Sequence, residues 1–338
     1  MNCISDRITS IAGILLFPFK LLSLSLFVSL SLTQCVHSQP GSQPMRAVQS
    51  DTFEWQSPRF QTHPLTGQIW RASDRSFIDA AMLQQELAQA KYVLIGEKHD
   101  NPDHHRLRQQ FLAQLQPDIA LVSFEMLDHS RQAQLDLLMG VDPKSTDIRE
   151  ALDWDDEGWN WDFYGPLLSQ LLQDRVAVRA ANISSADVME VYAGELNQIA
   201  AAVLTPAQVQ ELEQEIDASH CGMLPASQFA AMVRVQQARD YQMARSLLDE
   251  FTEGELPPAG MRVLVAGNYH IRKDLGVPKY LQALNSTGDE VVTLAYLEVA
   301  EGVMEPQRLL ELTYAADAFD YVWFTPAAVE QDYCAAFQ

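Results

Sequence analysis

The chain has 338 residues, of which 47% are hydrophobic and 20% are charged, a composition typical of globular proteins and not of disordered ones. Its formal net charge of −22 at pH 7 argues against nucleic acid as a partner, because an acidic surface repels the phosphate backbone. Four cysteines in a chain of this length exclude a small disulfide-rich scaffold.

The N-terminus has the pattern of an export signal. Arg7 and Lys20 precede an apolar run at positions 21–32, which is short for a hydrocarbon core of about 30 Å. We therefore expect residues 1–34 to form a signal peptide. The rest of the protein would then lie outside the cytoplasm.

Two cleavage sites compete in this region. Positions 32–35 resemble a bacterial lipobox, which would make Cys35 the lipidated first residue of an outer-membrane lipoprotein, although Gln34 stands where Gly or Ala is usual. Positions 36–38 instead offer ordinary signal cleavage, which would give a soluble periplasmic protein. An uncleaved membrane anchor is the third alternative.

The exported part begins with a tether and continues with the functional domain. Residues 35–60 are expected to be flexible because positions 36–50 are rich in Gln, Ser, Pro and Gly. Residues 61–338 are expected to form the domain.

Apolar runs and helix-capping signals alternate along this domain. The expected strands are 91–96, 118–126, 174–181, 261–266, 290–297 and 320–324. The expected helices are 101–115, one that ends near Met139, two after the third strand, the second of which begins at Thr205-Pro206, and 226–251. Strands that alternate with helices predict an α/β fold, with a mostly parallel, mixed central sheet, helices on both faces and a helical insertion.

Polar side chains follow the predicted core strands, where ligands bind in parallel sheets. They are Glu97 and His99 after the first strand, Glu125 in the second, Asn182 after the third and His270 after the fourth, with Gly96 and Gly267 beside them. We expect these residues to line one pocket. The alternative is that polar residues simply begin where buried strands end.

Three of the eight histidines, His99, His104 and His105, lie within seven residues of each other. No HExxH zinc motif is present. The start of a helix lowers the pKa of a histidine, so His104 and His105 are expected to be neutral and able to bind a metal or accept a proton. Gly-x-x-His occurs twice, at 96–99 and at 267–270, and the two turns could converge on the same pocket.

Several motifs occur in the order in which one protein family carries them. They are GEKHDNPDHH at 96–105, Glu125-Met126, Ala181-Asn182, HCGMLP at 220–225, Gln236, Arg239-Asp240, Met243-Ala244, AGNYH at 266–270 and YVWFTP at 321–326. Over roughly residues 70–326, the chain therefore resembles the ChaN family of haem-binding uptake lipoproteins, within the superfamily of Tiki, TraB and erythromycin esterases. The resemblance implies an α/β fold and haem binding linked to iron acquisition, with two haems packed face to face in a homodimer. It also implies an outer-membrane lipoprotein that could act with an outer-membrane haem or siderophore receptor.

A haem needs an apolar slot and an axial Tyr, His, Met or Cys ligand. The candidate haem-binding residues are Tyr164, which closes the aromatic stretch 154–164, His220, Cys221, His104, His105 and Arg239. Each has a structural alternative. The aromatic stretch could pack onto the sheet, Cys221 could pair with Cys334 in an oxidising compartment, and the Arg239-Asp240 pair could tie its helix to the sheet.

Two functions therefore remain open from the sequence. The first is a haem-binding protein of the envelope that is not an enzyme. The second is a metal-dependent hydrolase in which Glu97, His99, Glu125 and His270 bind a divalent ion or act as acid and base. The sequence contains no GxGxxG, Walker loop, GxSxG or CxxC motif, which argues against dinucleotide, nucleotide, serine hydrolase and thiol redox chemistry.

Overall fold

The computed structural model describes residues 53–194, 196–248, 260–285 and 287–328, together with Cys334. The expected signal peptide, Cys35 and positions 35–52 of the expected tether lie outside these residues. Within the described ranges, no helix combines the length and the apolar character that crossing a membrane requires.

The described residues form one eight-stranded mixed sheet. Its strands are β1 (Ile69–Arg71), β2 (Ser76–Ile78), β3 (Tyr92–Glu97), β4 (Ile119–Asp128), β5 (Ala177–Asn182), β6 (Met261–Gly267), β7 (Val291–Glu298) and β8 (Tyr321–Thr325). Their spatial order is β2-β1-β8-β7-β3-β6-β4-β5. Every pair from β8 to β5 is parallel, whereas β1 is antiparallel to both β2 and β8. The predicted fold class is confirmed.

Helices cover both faces of the sheet. They are α1 (Ala80–Leu87), α2 (Pro102–Leu115), α3 (Gln132–Leu138), α4 (Ile148–Ala151), α5 (Trp161–Gln173), α6 (Ser185–Ala193), α7 (Gln198–Ala201), α8 (Pro206–Ser219), α9 (Ala226–Leu248), α10 (Val277–Leu284) and α11 (Pro306–Leu310). Helices α1 to α5 pack in one hydrophobic cluster and α7 to α11 in another. Helices α6 to α9 form the expected insertion, between β5 and β6.

The alternation of side chains along a strand explains these two clusters. In β3, Val93 and Ile95 belong to the cluster on one face, whereas Tyr92 and Leu94 belong to the cluster on the other. All four are buried, as expected for a central parallel strand that is covered on both faces.

Local capping signals fix the start of two helices. The side chain of Asn101 accepts a hydrogen bond from the backbone N–H of Asp103, and Pro102 occupies the first position of α2. Helix α8 begins in the same way. Thr205 is its N-cap and forms a capping box with Gln208, and Pro206 occupies the first position of the helix. The predicted starts of both helices are confirmed.

The sequence prediction placed no element between positions 140 and 173, where the structure has α4 and α5. The aromatic stretch 154–164 leads into α5, whose N-terminal cap is Asn160. Gly165 is needed in the first turns of this helix, because a Cβ there would lie 2.2 Å from the ring of Trp161. Helix α5 matters for function because it places Tyr164 at the carboxyl edge of the sheet.

A disulfide joins Cys221, in the turn between α8 and α9, to Cys334 near the end of the chain. This was the structural alternative for Cys221. The two residues are 113 positions apart, so the bond closes a long loop of the chain.

Candidate functional site

The site is built at the carboxyl ends of β3, β6 and β4, which are neighbours in the sheet. Glu97 Oε1 lies 3.3 Å from His99 Nδ1, and His99 Nε2 lies 3.9 Å from Glu125 Oε2. Glu125 Oε1 in turn lies 3.4 Å from His270 Nε2. The two Gly-x-x-His turns and the two strand-end glutamates therefore form one continuous cluster.

Two glycines allow the segments of this cluster to approach so closely. A Cβ on Gly267 would lie 2.8 Å from His99 Nε2, and a Cβ on Gly96 would lie 2.4 Å from Asn268 Oδ1. Real Cβ contacts are longer than this, so a larger residue at either position would push the two turns apart. Asn182, at the end of β5, also contacts the cluster, because its Nδ2 donates to the backbone oxygen of Glu125 at 3.0 Å.

Glu97 is buried and bound on both carboxylate oxygens. The hydroxyl of Tyr164 donates to Oε1 at 2.7 Å, and the guanidinium of Arg108 pairs with Oε2. His105 Nδ1 lies 3.5 Å from the same Oε2. Burial lowers the pKa of Arg108 to about 10 and raises the pKa of Tyr164. At neutral pH the pair is therefore a compensated ion pair beside a neutral phenol.

Glu125, His270 and Asp240 form a second buried charge network. His270 Nδ1 lies 2.6 Å from Asp240 Oδ1, and the backbone N–H of Gly267 donates to Glu125 Oε2 at 2.7 Å. Burial alone would lower the pKa of His270, but the carboxylates of Glu125 and Asp240 raise it to about 10. Burial alone would raise the pKa of Glu125, but the imidazolium of His270 lowers it to about 2. His270 is therefore charged at neutral pH.

His99 is the most accessible member of the cluster, with 38% of its side chain exposed. Its Nδ1 lies 3.1 Å from the hydroxyl of Tyr164 as well as 3.3 Å from Glu97. Its ring meets the ring of Trp159 edge-on, with the centroids 4.9 Å apart. The arrangement holds the ring by one nitrogen and leaves Nε2 facing Glu125.

The cluster does not fit the divalent metal ion that the sequence suggested. In the part of the chain that the structure describes, no group of three or more His, Cys, Asp or Glu side chains is arranged to hold a metal ion. The guanidinium of Arg108 also pairs with Glu97, so this carboxylate already has a buried cation beside it.

Comparison with known proteins identifies the family. Residues 83–281 match the family model described as haem-binding uptake, Tiki superfamily, ChaN. The chain belongs to this family. No curated protein matches the sequence.

The solved structure of one ChaN protein shares the fold of this chain. A structure of cofacial haem binding to ChaN of Campylobacter jejuni is 22% identical, with a TM-score of 0.62, and the match covers 75% of this chain and 95% of that chain. An erythromycin esterase EreC mutant in its open conformation is 13% identical, with a TM-score of 0.45, over 78% of this chain and 99% of that chain.

Three of the haem-ligand candidates of this ChaN-family chain lie in its interior. His104 is fully buried, and its two ring nitrogens bond the backbone N–H of Lys98 at 2.9 Å and the hydroxyl of Thr325 at 2.8 Å. His105 stacks on Phe163, with the ring centroids 4.3 Å apart, and its Nε2 donates to the backbone oxygen of His99. Tyr164 is also buried and bonds Glu97, as described above. These side chains support the cluster, and in this arrangement none of them offers an atom to a haem iron.

The burial of His104 lowers its pKa well below the usual value, and burial lowers the pKa of His105 to about 4. Both rings are therefore neutral, as the sequence predicted. The main cause is burial rather than the helix dipole that the prediction invoked.

The remaining candidates lie in the helical insertion. Cys221 is in the disulfide, so its sulfur is not a thiolate ligand. His220 is partly exposed at the end of α8. Arg239 is partly exposed on α9, and among the described residues its Nε has no hydrogen-bond partner.

Sequence reasoning missed the two residues that set the charges of the cluster. Arg108 follows the His104-His105 pair by one helical turn, and only this spacing could have indicated that it shares their buried face. For Asp240 the sequence left open whether the Arg239-Asp240 pair ties its helix to the sheet or binds haem. Asp240 does link α9 to the turn after β6, but through His270.

A small cavity lies beside His270. Its volume is about 180 Å³, and its lining includes Gln236, Asp240, Tyr269 and Arg272. Pockets that enclose drug-sized ligands usually measure about 300–1,000 Å³. This cavity is too small to enclose a haem.

Proposed function

We propose that the protein binds haem in the bacterial envelope and takes part in haem or iron uptake. The observation that carries this proposal is the match of residues 83–281 to a family described as haem-binding uptake. The fold supports it, since the chain aligns with 95% of ChaN of Campylobacter jejuni, for which cofacial haem binding is described.

The first test is a titration of the purified protein with ferric haem. We expect a shifted Soret band that saturates at a fixed ratio of haem to protein, because a specific site has a limited capacity. The same protein unfolded in urea is the control. A spectrum that rises without saturation, and equally for folded and unfolded protein, would contradict haem binding.

We further propose that haem joins two copies of the chain. A haem bound on the surface leaves one face of the porphyrin in water, and a second subunit with its own haem would cover that face. Light scattering on a sizing column should show the mass double when haem is added. A haem complex that keeps the mass of the monomer would rule out this form of binding.

The proposed location is the outer membrane, with lipid on Cys35, and a soluble periplasmic form is the alternative. The Cys221–Cys334 disulfide supports export, because disulfides persist in oxidising compartments. An outer-membrane haem or siderophore receptor would be a fitting partner there. The intact mass of the exported protein distinguishes the two forms, since only cleavage before Cys35 with lipidation adds the mass of acyl chains.

A hydrolase remains the second candidate, and the geometry of His99 favours a form without a metal. A buried carboxylate, Glu97, holds Nδ1, the side chain is 38% exposed, and Nε2 faces the carboxylate of Glu125, an arrangement suited to a general base that acts on a bound water. A panel of simple esters and peptides tests this activity. Any turnover should vanish in His99→Ala and persist in His129→Ala, an exposed histidine. Equal turnover in both variants would contradict the assignment.

A further inference from the structure

We propose that another cavity of the chain binds a neutral sugar ring. The cavity has a volume of about 230 Å³ and lies between the β1–β2 hairpin, α11 and the segment that leads into β8. The lining residues that carry the argument are Trp70, Arg75, Lys273, Asp317, Phe319 and Asp320. None of the described residues that line it belongs to the cluster at the carboxyl edge of the sheet, so this inference is independent of the proposed haem binding.

The first argument is an aromatic wall. Phe319 is fully buried, whereas Trp70 is partly exposed. Trp70 stands opposite Phe77 in the β1–β2 pair, and the two rings meet edge-on with their centroids 5.2 Å apart. An aromatic ring has a negative face, which attracts the weakly positive C–H groups on one side of a pyranose. A sugar ring that enters the cavity therefore has an apolar surface to pack against.

The second argument is a pair of charged side chains that the fold does not use. Arg75 and Asp317 are both exposed, and neither side chain has an ion pair or a hydrogen bond with any part of the chain that the structure describes. The neighbouring charges differ, since Arg71 pairs with Asp74 at 2.6 Å. A guanidinium only donates and a carboxylate only accepts, whereas each sugar hydroxyl does both. Arg75 and Asp317 therefore offer the two kinds of partner that a sugar needs.

The third argument is the balance of charge around the cavity. Lys273 Nζ donates to Asp320 Oδ1 at 2.5 Å, and the backbone N–H of Thr293 donates to Asp320 Oδ2 at 2.9 Å. With Arg75 and Asp317, the described lining therefore holds two cations and two anions, although the chain as a whole carries −22. A balanced lining has no net attraction for an anion or a cation, so it favours a neutral ligand.

The fourth argument is the size and rigidity of the cavity. Pockets that enclose drug-sized ligands usually measure about 300–1,000 Å³, so a cavity of about 230 Å³ suits a single ring. Backbone hydrogen bonds join its walls. The N–H of Lys273 donates to the oxygen of Ala318, and the N–H of Ala72 donates to the oxygen of Asp320, both at 2.9 Å. A site that is fixed before its ligand arrives loses little conformational entropy on binding.

The test is calorimetric titration of the haem-free protein with methyl glucoside, methyl N-acetylglucosaminide, chitotriose and the dipeptide glycylleucine. We expect saturable binding of at least one sugar and none of the dipeptide. Arg75→Ala and Asp317→Ala should each weaken sugar binding by about tenfold or more, because hydrogen bonds to charged groups are the strong ones. Arg131→Ala and Asp156→Ala are matched controls, since both residues form surface ion pairs away from the cavity, and they should bind like the wild type.

Saturation-transfer NMR on the bound sugar adds a second readout, in which the C–H protons on one face of the ring should receive most of the signal from the aromatic wall. Wild-type protein that binds none of the sugars would overturn the inference. Equal sugar affinity in the wild type, Arg75→Ala and Asp317→Ala would place any sugar site elsewhere on the molecule. Binding of glycylleucine without binding of a sugar would mean that the two charges recognise a zwitterion instead.

Discussion

At the scale of single residues, the site is defined by which charges compensate each other in the interior. Arg108 and Glu97 have no exposed side-chain surface, yet they form an ion pair within the cluster. Transferring two charges out of water is costly, so such a pair contributes little net stability but is expensive to break. The pair therefore holds Glu97 in place, and with it the ring of His99.

Replacing Arg108 with Met tests this interpretation. The carboxylate of Glu97 would lose its cation while remaining buried, so we expect a loss of about 3–5 kcal/mol in the free energy of unfolding. Urea denaturation measures this loss. Arg131→Met is the control, since Arg131 pairs with Asp153 at the surface and such pairs contribute about 0–1 kcal/mol. Equal effects of the two substitutions would show that Glu97 is not held by Arg108.

The pH dependence of stability tests the second network. The pKa of His270 is raised from 6.5 to about 10 in the folded state, so its contribution is complete below pH 6.5 and is lost as the pH rises towards 10. The pKa of Glu125 is lowered from 4.5 to about 2, so its contribution is complete above pH 4.5 and is lost as the pH falls towards 2.

These two contributions are therefore both complete between pH 4.5 and 6.5. Urea denaturation at a series of pH values should show the wild type losing stability from pH 6.5 upwards. Asp240→Asn should flatten this slope, because it removes one of the two carboxylates that raise the pKa of His270. An unchanged slope in the variant would mean that His270 is not held as an imidazolium.

At the scale of elements, local signals predicted most helices and strands, whereas most contacts between individual distant side chains did not follow from them. Helices α2 and α8 were predicted because their caps lie within a few residues of their first turns. The strand-end residues were predicted to meet because parallel strands share a carboxyl edge. Helix α5 was missed, since its start lies in a polar aromatic stretch, and so was the role of Tyr164 on it. No local pattern shows which buried acid a distant tyrosine will bond.

The disulfide gives an element-scale prediction. It ties the turn after α8 to Cys334, which lies 113 positions along the chain. Cross-linking a loop of about 100 residues restricts the unfolded chain by about 4.7 kcal/mol in the chain-entropy model. We expect the double variant Cys221→Ser/Cys334→Ser to have a free energy of unfolding lower by about 2–5 kcal/mol, so that it unfolds at a lower urea concentration. Reductant should lower the stability of the wild type and leave that of the double variant unchanged. If reductant lowers both equally, the loss does not come from this disulfide.

At the scale of the whole molecule, composition argues against one class of partner and names none. The net charge of −22 argues against nucleic acid as a partner. It does not indicate haem, because a haem is small and would contact only a small part of the protein surface. The α/β class followed from alternating elements, whereas the protonation of His270 depends on two carboxylates contributed by separate segments. The proposal of haem therefore rests on family membership, and the structure shows that His104, His105 and Tyr164 lie in the interior.

The same charge makes a prediction about the proposed haem-linked dimer. Two copies that each carry about −22 repel one another, and salt weakens this repulsion because the Debye length falls from about 30 Å at 0.01 M to about 8 Å at 0.15 M. We expect the dimer fraction at fixed protein and haem to rise over this range of salt. Sedimentation velocity at the two salt concentrations measures that fraction, with haem-free protein as the control. A dimer that dissociates as salt is added would instead require attractive ion pairs across its interface.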